Sequence, residues 1–115
     1  MLSIFERDET LLLLMLETVE KIETFTRSIQ SAEEFEKDIQ VYDACLMNFI
    51  VIGELVVKLS PNFLEKQSDM EWYKIRAFRN FAAHDYFGID AEKVWNIVQT
   101  KLPELKIKLI QITGK

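Results

Sequence analysis

Residues 41–59 read VYDACLMNFIVIGELVVKL and form the longest strongly apolar region of the chain. A helix that spans a membrane needs about 20 mostly apolar residues with few or no charges. Because polar residues and glycine interrupt the region, we interpret 41–59 as the central buried helix of a soluble protein that does not associate with a membrane. Ser60 and Pro61 end this helix, because proline disfavours helical backbone in the residue before it. Polar residues or glycine interrupt the region at five positions: Asp43, Asn48, Gly53, Glu54 and Lys58.

Length and composition favour one helical domain over residues 1–115. Hydrophobic residues make up 49% of the chain, which suffices for a core at a length of 115 residues. The chain holds only three glycines and two prolines. All-β domains need many turns that are rich in these residues, so the composition points away from that class.

The sequence before residue 41 predicts one long helix and the first residues of a second. Apolar residues recur every three or four positions from Leu12 to Ile22, which predicts a helix over about 8–28. Residues 11–16 are apolar nearly all round, so this helix should have neighbours on two sides, one of which could be a second subunit. Ser31 and Glu34 match a capping box. Residues 31–59 then form either one long helix or two helices with a kink.

Two further helices are expected after the central one. Residues 61–70 should form a loop with at most one short helical turn, and 71–84 a helix. Asp90 is the expected N-cap of a last helix over 91–113, in which Pro103 predicts a kink or a break near Lys101. The sum is an all-α antiparallel bundle of four or five helices.

Charge and cysteine content limit the classes of partner. The formal net charge is −5 and the isoelectric point is about 4.9, whereas a nucleic-acid-binding domain is usually basic. A nucleic-acid role therefore requires a local basic patch or a basic partner. Cys45 is the one cysteine and lies in an apolar run, so we expect a core residue. The absence of a disulfide pair and of a basic apolar leader in MLSIFERDET favours a cytoplasmic protein.

The stretch RNFAAHDY, residues 79–86, holds the only histidine, His84. At about 100° per residue, residues 72–84 divide into a core face and a polar face. Arg79 lies near the border and can carry its head outward. Arg79 and His84 do not share one face of a regular helix, but they could converge if the helix ends at His84 or across a symmetric dimer. The core face holds Trp72, Ile75, Phe78 and Ala82, and the polar face holds Tyr73, Arg76, Asn80 and His84.

Two interpretations of this polar face are open from the residues alone. The arginines can be solvated charges, with His84 near the carbonyl end of its helix, where positive charge is favoured. Alternatively, the face is a phosphate site. A guanidinium grips phosphate oxygens with a planar fork, and an imidazole can act as general acid or base near neutral pH. These parts suffice in kind for RNA cleavage without a metal.

Other chemistries find less support. One histidine and one cysteine, far apart, cannot build a zinc site of the usual kind, so no metal is expected. The glycines are scattered and form no phosphate loop. Glu54 lies among apolar residues, where an unpaired carboxylate is costly. It should therefore meet a cation, Arg76 or Arg79, or else sit at the boundary and reach water.

The spacing R-x-x-x-x-H-x-Y of Arg79, His84 and Tyr86 resembles the signature of the HEPN superfamily, and within it the HepT-like proteins. IGELVVKLS (52–60) resembles the helix before the motif in that family. WYKIRAFRNFAAHDYFGIDAEKVWNIV (72–98) resembles the motif helix, the following turn and the last helix. The resemblance covers about two-thirds of the chain.

The resemblance implies a small all-α homodimer that is the toxin of a toxin–antitoxin pair and cleaves RNA without a metal or other cofactor. It implies that Arg79 and His84 are the catalytic pair and that Asn80 assists them. Arg76, Glu54 and Tyr73 are possible supporting residues on the neighbouring surface. The partner would be a minimal nucleotidyltransferase antitoxin that attaches AMP to Tyr86. The alternatives are a non-catalytic helical subunit that binds nucleotide or substrate for that partner, and a purely structural dimer.

Overall fold

The computed structural model describes residues 4–85 and 90–115, and these residues form helices without strands. The all-α class is confirmed. The described part holds seven helices rather than four or five. Residues 31–59 form two helices, which was one of the two alternatives, the helix expected over 71–84 is divided, and part of 61–70 is helical. The seven helices are α1 (Ile4–Thr26), α2 (Ala32–Lys37), α3 (Ile39–Lys58), α4 (Pro61–Lys66), α5 (Trp72–Arg76), α6 (Phe78–Asp85) and α7 (Ala91–Thr113).

Helix α3 is the central element of the bundle, as the sequence predicts. It packs against α1, α2, α5 and α6. By length and composition alone α3 is apolar enough to cross a membrane, a criterion that core helices of soluble proteins also meet. Here its apolar side chains form the middle of the core. The fully buried members include Cys45, Leu46, Phe49 and Ile52.

Helix α1 finds both of its expected neighbours within the same chain. It packs against α3 on one side and α7 on the other. Within residues 11–16, Leu12, Met15 and Leu16 are buried, whereas Leu14 is 46% exposed. The apolar block is therefore covered by the fold itself, and a second subunit is not needed to explain it.

Capping side chains set the helix boundaries around α3. The Ser31 hydroxyl accepts a hydrogen bond from the backbone N–H of Glu34 at 3.1 Å, which confirms the predicted start of α2. Asp38 separates α2 from α3, and its Oδ1 accepts from the N–H of Val41 at 3.2 Å. Residues 31–59 are thus two helices rather than one.

A buried carboxylate ties the end of α3 to the beginning of α1. Asp8 is 6% exposed, and its Oδ1 accepts from the backbone N–H of Ser60 at 2.9 Å while its Oδ2 accepts from the Ser60 hydroxyl. Because Ser60 follows α3 and Asp8 lies in the second turn of α1, the two helices run antiparallel. The same Ser60 caps α4, whose first residue is Pro61.

The helix expected over 71–84 is divided at Ala77 into α5 and α6. Helical hydrogen bonds nevertheless continue across the junction: Ala77 donates to the Tyr73 carbonyl at 3.1 Å, and Phe81 donates to the Ala77 carbonyl at 2.9 Å. Because these i to i−4 bonds persist, the faces of α5 and α6 stay nearly in register.

The last helix has the predicted bounds. Asp90 caps α7, since its Oδ1 accepts from the N–H of Lys93 at 3.0 Å. The helix continues through Pro103 without the break that was one expectation. It ends at Gly114, which has a left-handed backbone with φ 76°.

Candidate active site

The core and polar faces of α5 and α6 lie as the sequence predicts. The buried face packs into the core, with four side chains at most 5% exposed: Trp72, Ile75, Phe78 and Ala82. On the other face, Tyr73, Arg76 and Asn80 are exposed, and Arg79 is half-buried between the two faces. The fold therefore presents one polar surface along both helices, with Arg79 at its border.

Gly53 brings α3 against the start of α6. A Cβ atom added at Gly53 would lie 2.6 Å from the Cβ of Arg79, 2.9 Å from the Arg79 nitrogen and 3.0 Å from the Arg76 carbonyl oxygen. Real Cβ atoms essentially never approach other atoms so closely. Only glycine permits this contact, and the contact fixes the backbone of Arg79 on the surface of α3.

Glu54 meets Arg79, one of the two cations expected for it. Arg79 Nη1 donates to Glu54 Oε1 at 3.0 Å, and the two side chains remain 38% and 47% exposed. The ion pair and the boundary position that were predicted as alternatives are therefore both present. A guanidinium carries five N–H donors, so a pair made through one nitrogen orients Arg79 and leaves donors for an anion in solvent.

The polar surface is richer in cations than the chain as a whole, but two of its three cations are paired with carboxylates. Residues 72–83 hold Lys74, Arg76 and Arg79 and no acidic residue. Lys74 forms an ion pair with Glu71 at 3.1 Å, and their hydrogen bond lowers the pKa of Glu71 and raises that of Lys74. Arg79 pairs with Glu54 in the same way, so the surface carries charges of both signs. A nucleic-acid role for this acidic chain therefore relies on the exposed Arg76 and on the guanidinium donors that Arg79 does not give to Glu54.

The histidine and tyrosine of the motif are only partly placed. The backbone of His84 lies in the last turn of α6, four residues after Asn80 and so on the same face of the helix. The side chain of His84 and the whole of Tyr86 lie outside the described residues. Convergence of the His84 imidazole with the Arg79 guanidinium therefore stays a prediction.

Sequence reasoning did not identify Gly53 as a residue that shapes the site. A signal was present, because glycine inside a strongly apolar helix costs about 1 kcal/mol relative to alanine and often marks a close packing contact. The pairing of Glu54, by contrast, follows from the cost of leaving a carboxylate unpaired among apolar residues.

One small cavity of about 90 Å³ borders this surface at Glu71 and Lys74, and a larger cavity lies apart from it. Within residues 4–85 and 90–115, no three histidine, cysteine or acidic side chains cluster as metal ligands. A cavity of about 550 Å³ lies between α1, α4 and the end of α7, with Leu12, Phe63 and Ile112 in its wall. Its buried carboxylate, Asp8, already binds Ser60 with both oxygens, so the cavity carries no catalytic set.

Cys45 is expected to resist thiol reagents in the folded protein. It is fully buried, and burial raises the pKa of its thiol to about 12. At pH 8 roughly one thiol in 10,000 is then ionised, and the thiolate is the reactive form. A chromogenic disulfide reagent should label the chain slowly in buffer and at once in 6 M guanidinium, a concentration of about the order that unfolds very stable domains. Rapid labelling of the folded chain would contradict this expectation.

Comparisons with known proteins identify the family of this chain. Residues 15–112 match the family described as "Ribonuclease HepT-like". The chain is 35% identical over 89 residues to "Putative RNase MJ0127" of Methanocaldococcus jannaschii, which covers 77% of this chain and 73% of that protein. It is 33% identical over 85 residues to "Putative RNase TTE0752" of Caldanaerobacter subterraneus, covering 74% and 76%.

A third relative is longer. The chain is 29% identical over 98 residues to "Gamma-glutamylcyclotransferase and putative RNase MJ0434" of M. jannaschii, covering 85% of this chain and only 44% of that protein. No solved structure matches the chain significantly. The family match covers the second half of α1, the helices α2 to α6 and all but the last residue of α7. It therefore includes Gly53 and Glu54 of α3 and Arg79 and His84 of α6. The chain therefore belongs to the HepT-like ribonuclease family.

Proposed function

We propose that this chain is a metal-independent endoribonuclease and the toxin of a toxin–antitoxin pair. The observation that carries the proposal is the way Arg79 is held: Gly53 fixes its backbone, Glu54 binds one of its nitrogens, and its head remains in reach of solvent. A guanidinium in this state is preorganised to bind a phosphate. Membership of a ribonuclease family supports RNA as the source of that phosphate.

In the proposed reaction, His84 and Arg79 act on one phosphodiester. A base removes the proton of a ribose 2′-hydroxyl, and the 2′-oxygen forms a bond to phosphorus. The bond from phosphorus to the 5′-oxygen breaks, and that oxygen takes a proton from an acid. His84 supplies the base or the acid. Arg79 stabilises the charge that grows on the phosphate oxygens, and Asn80 donates a hydrogen bond to the phosphate or ribose.

A homodimer would supply both the acid and the base from two copies of His84. Apolar residues on the exposed side of α3 support this arrangement, because they flank Glu54 beside the site. Met47 is 61% exposed, Val51 37% and Val57 46%. A dimer that buries this stripe would place the two Arg79 residues near one another. Residues 11–16, for which the sequence left a second subunit open as a neighbour, are mostly covered within the chain.

The proposal includes inhibition by a nucleotidyltransferase partner, which the resemblance to the HepT-like proteins implies. Adenylylation joins the phenol oxygen of Tyr86 to the α-phosphorus of ATP and releases pyrophosphate. Tyr86 follows His84 by two residues, so the added phosphate would compete for the arginine and block access of RNA. The toxin and its antitoxin would act in the cytoplasm.

The test is RNA cleavage by the purified chain in the presence of a chelator. We expect an undiminished rate in EDTA, with 2′,3′-cyclic phosphate and 5′-hydroxyl ends on the products, because the attacking oxygen is the 2′-hydroxyl of the RNA. DNA of the same sequence should stay intact, since it has no such group. Cleavage that stops in EDTA would contradict the proposal. Binding of RNA or nucleotide without cleavage would instead favour a non-catalytic partner subunit.

A further inference from the structure

Tyr73 is the most exposed aromatic side chain of the described residues, at 63%. It lies on α5, on the same face as Arg76 and Asn80. Tyrosine is enriched at binding interfaces, where its ring makes apolar contacts while its hydroxyl stays in a polar setting. On this protein the ring stands among charged side chains rather than in an apolar patch. Lys74 and Arg76 follow it closely in the chain, and Glu71 precedes it by two residues.

The ring is also held in position. The Tyr73 hydroxyl donates to Glu71 Oε2 at 3.0 Å, and the same Oε2 binds Lys74 Nζ at 3.1 Å. Lys74 Nζ lies 6.0 Å from the centre of the ring. This distance is the outer limit of a cation–π contact. Two charged residues thus restrain the tyrosine while its ring stays open to solvent, so little rotamer freedom is lost on binding.

We propose that Tyr73 is a stacking platform for a base of the RNA substrate. This inference rests on the proposed ribonuclease function and names a residue that binds substrate outside the reacting phosphate. Bases of single-stranded RNA stack on exposed aromatic rings next to basic side chains that hold the backbone. Lys74 and Arg76 are the basic side chains in this position.

The distance along the helix sets which base reaches Tyr73. Tyr73 and Asn80 are separated by seven residues, which is about 10 Å at 1.5 Å per residue. A stacked strand advances about 3.4 Å per nucleotide, and an extended strand advances further. The stacked base is therefore one to three nucleotides from the scissile phosphate. The ring does not touch the reacting atoms, so it contributes to binding rather than to the chemical step.

The experiment measures cleavage of a fluorescently labelled single-stranded RNA of about 12 nucleotides, a length in the range of single-strand binding sites. The parent chain is compared with Tyr73→Ala, Tyr73→Phe and Phe25→Ala. Phe25 is an exposed aromatic residue on α1, 37% exposed, and serves as the matched control. We expect Tyr73→Ala to raise KM about 5- to 10-fold with little change in kcat, which is the lower part of the range for stacking. Phe25→Ala should behave as the parent does. Tyr73→Phe should lie nearer to the parent than to Tyr73→Ala, because it keeps the ring and loses only the hydrogen bond to Glu71.

A series of RNAs with one abasic position each gives the second readout. Removing the base at one position near the cleavage site should raise the KM of the parent chain by the same factor as Tyr73→Ala does. Combining that RNA with Tyr73→Ala should raise KM no further than either change alone. Equal KM for Tyr73→Ala and parent would overturn the stacking inference and leave the ribonuclease intact. A Tyr73→Phe variant as weak as Tyr73→Ala would also overturn it, since the hydroxyl would then be the contact. Failure of the parent chain to cleave or bind any RNA would overturn the proposed function itself.

Discussion

The His84→Ala variant is expected to cleave RNA about 100- to 10,000-fold more slowly than the parent chain, since a positioned acid or base contributes a factor of this size. His84 is the only histidine, so no other imidazole can take over its role. The measurement is the single-turnover rate with a chelator present, over a range of pH. The parent rate should depend on pH near neutrality, where an imidazole gains and loses its proton, and the variant should lack that dependence.

Two variants give this experiment its controls. Gln40→Ala changes an exposed residue in the first turn of α3, about 20 Å along that helix from Glu54, and should cleave at the parent rate. Arg79→Lys keeps a positive charge but loses the planar fork, so it should fall between the parent and His84→Ala. If His84→Ala, Gln40→Ala and the parent share one rate, the cleavage comes from a contaminant or from another site, and the catalytic assignment is wrong.

Much of the fold follows from local signals in the sequence. The bounds of α7 are given by a capping aspartate at residue 90 and by Gly114 just past the end, because each satisfies backbone groups that a helix terminus leaves unpaired. The start of α2 is given in the same way by Ser31. The central place of α3 follows from the length of its apolar run.

The features that were not foreseen depend on contacts between distant segments. Ala77 separates α5 from α6, yet alanine is the strongest helix former, so no local signal predicts a division there. Asp8 and Ser60 are 52 residues apart, and nothing in the residues near either one indicates the other. Such pairings become visible only when the packing of α1 on α3 is known.

In the candidate site, too, local signals in the sequence predict some features and not others. The exposed face of Tyr73, Arg76 and Asn80 follows from helical periodicity, and the pairing of Glu54 follows from the cost of a lone carboxylate. Periodicity alone places Arg79 and His84 about 140° apart on a helix. Whether the two side chains meet depends on their rotamers at the end of α6 and on the assembly of a dimer, which no spacing rule supplies.

Replacing Gly53 by alanine is expected to destabilise the protein by about 1–3 kcal/mol, the usual cost of an extra methyl group in a filled contact. The sign is diagnostic, because the same change inside an ordinary helix stabilises by up to about 1 kcal/mol. Here the new Cβ would lie 2.9 Å from the Arg79 nitrogen and 3.0 Å from the Arg76 carbonyl oxygen. Both are backbone atoms, so relief requires α3 and α6 to move apart.

That movement should also reach the site. Separation of the helices draws Arg79 away from Glu54, so RNA cleavage by Gly53→Ala should slow in addition to the loss of stability measured by urea unfolding. Gly114→Ala is the matched control. Gly114 has φ 76° and no atom within 4 Å of an added Cβ, so alanine there costs about 1 kcal/mol of backbone strain and should leave cleavage unchanged. A Gly53→Ala protein more stable than its parent would mean that α3 does not hold Arg79 in place, and the catalytic arginine would have to be positioned by something else.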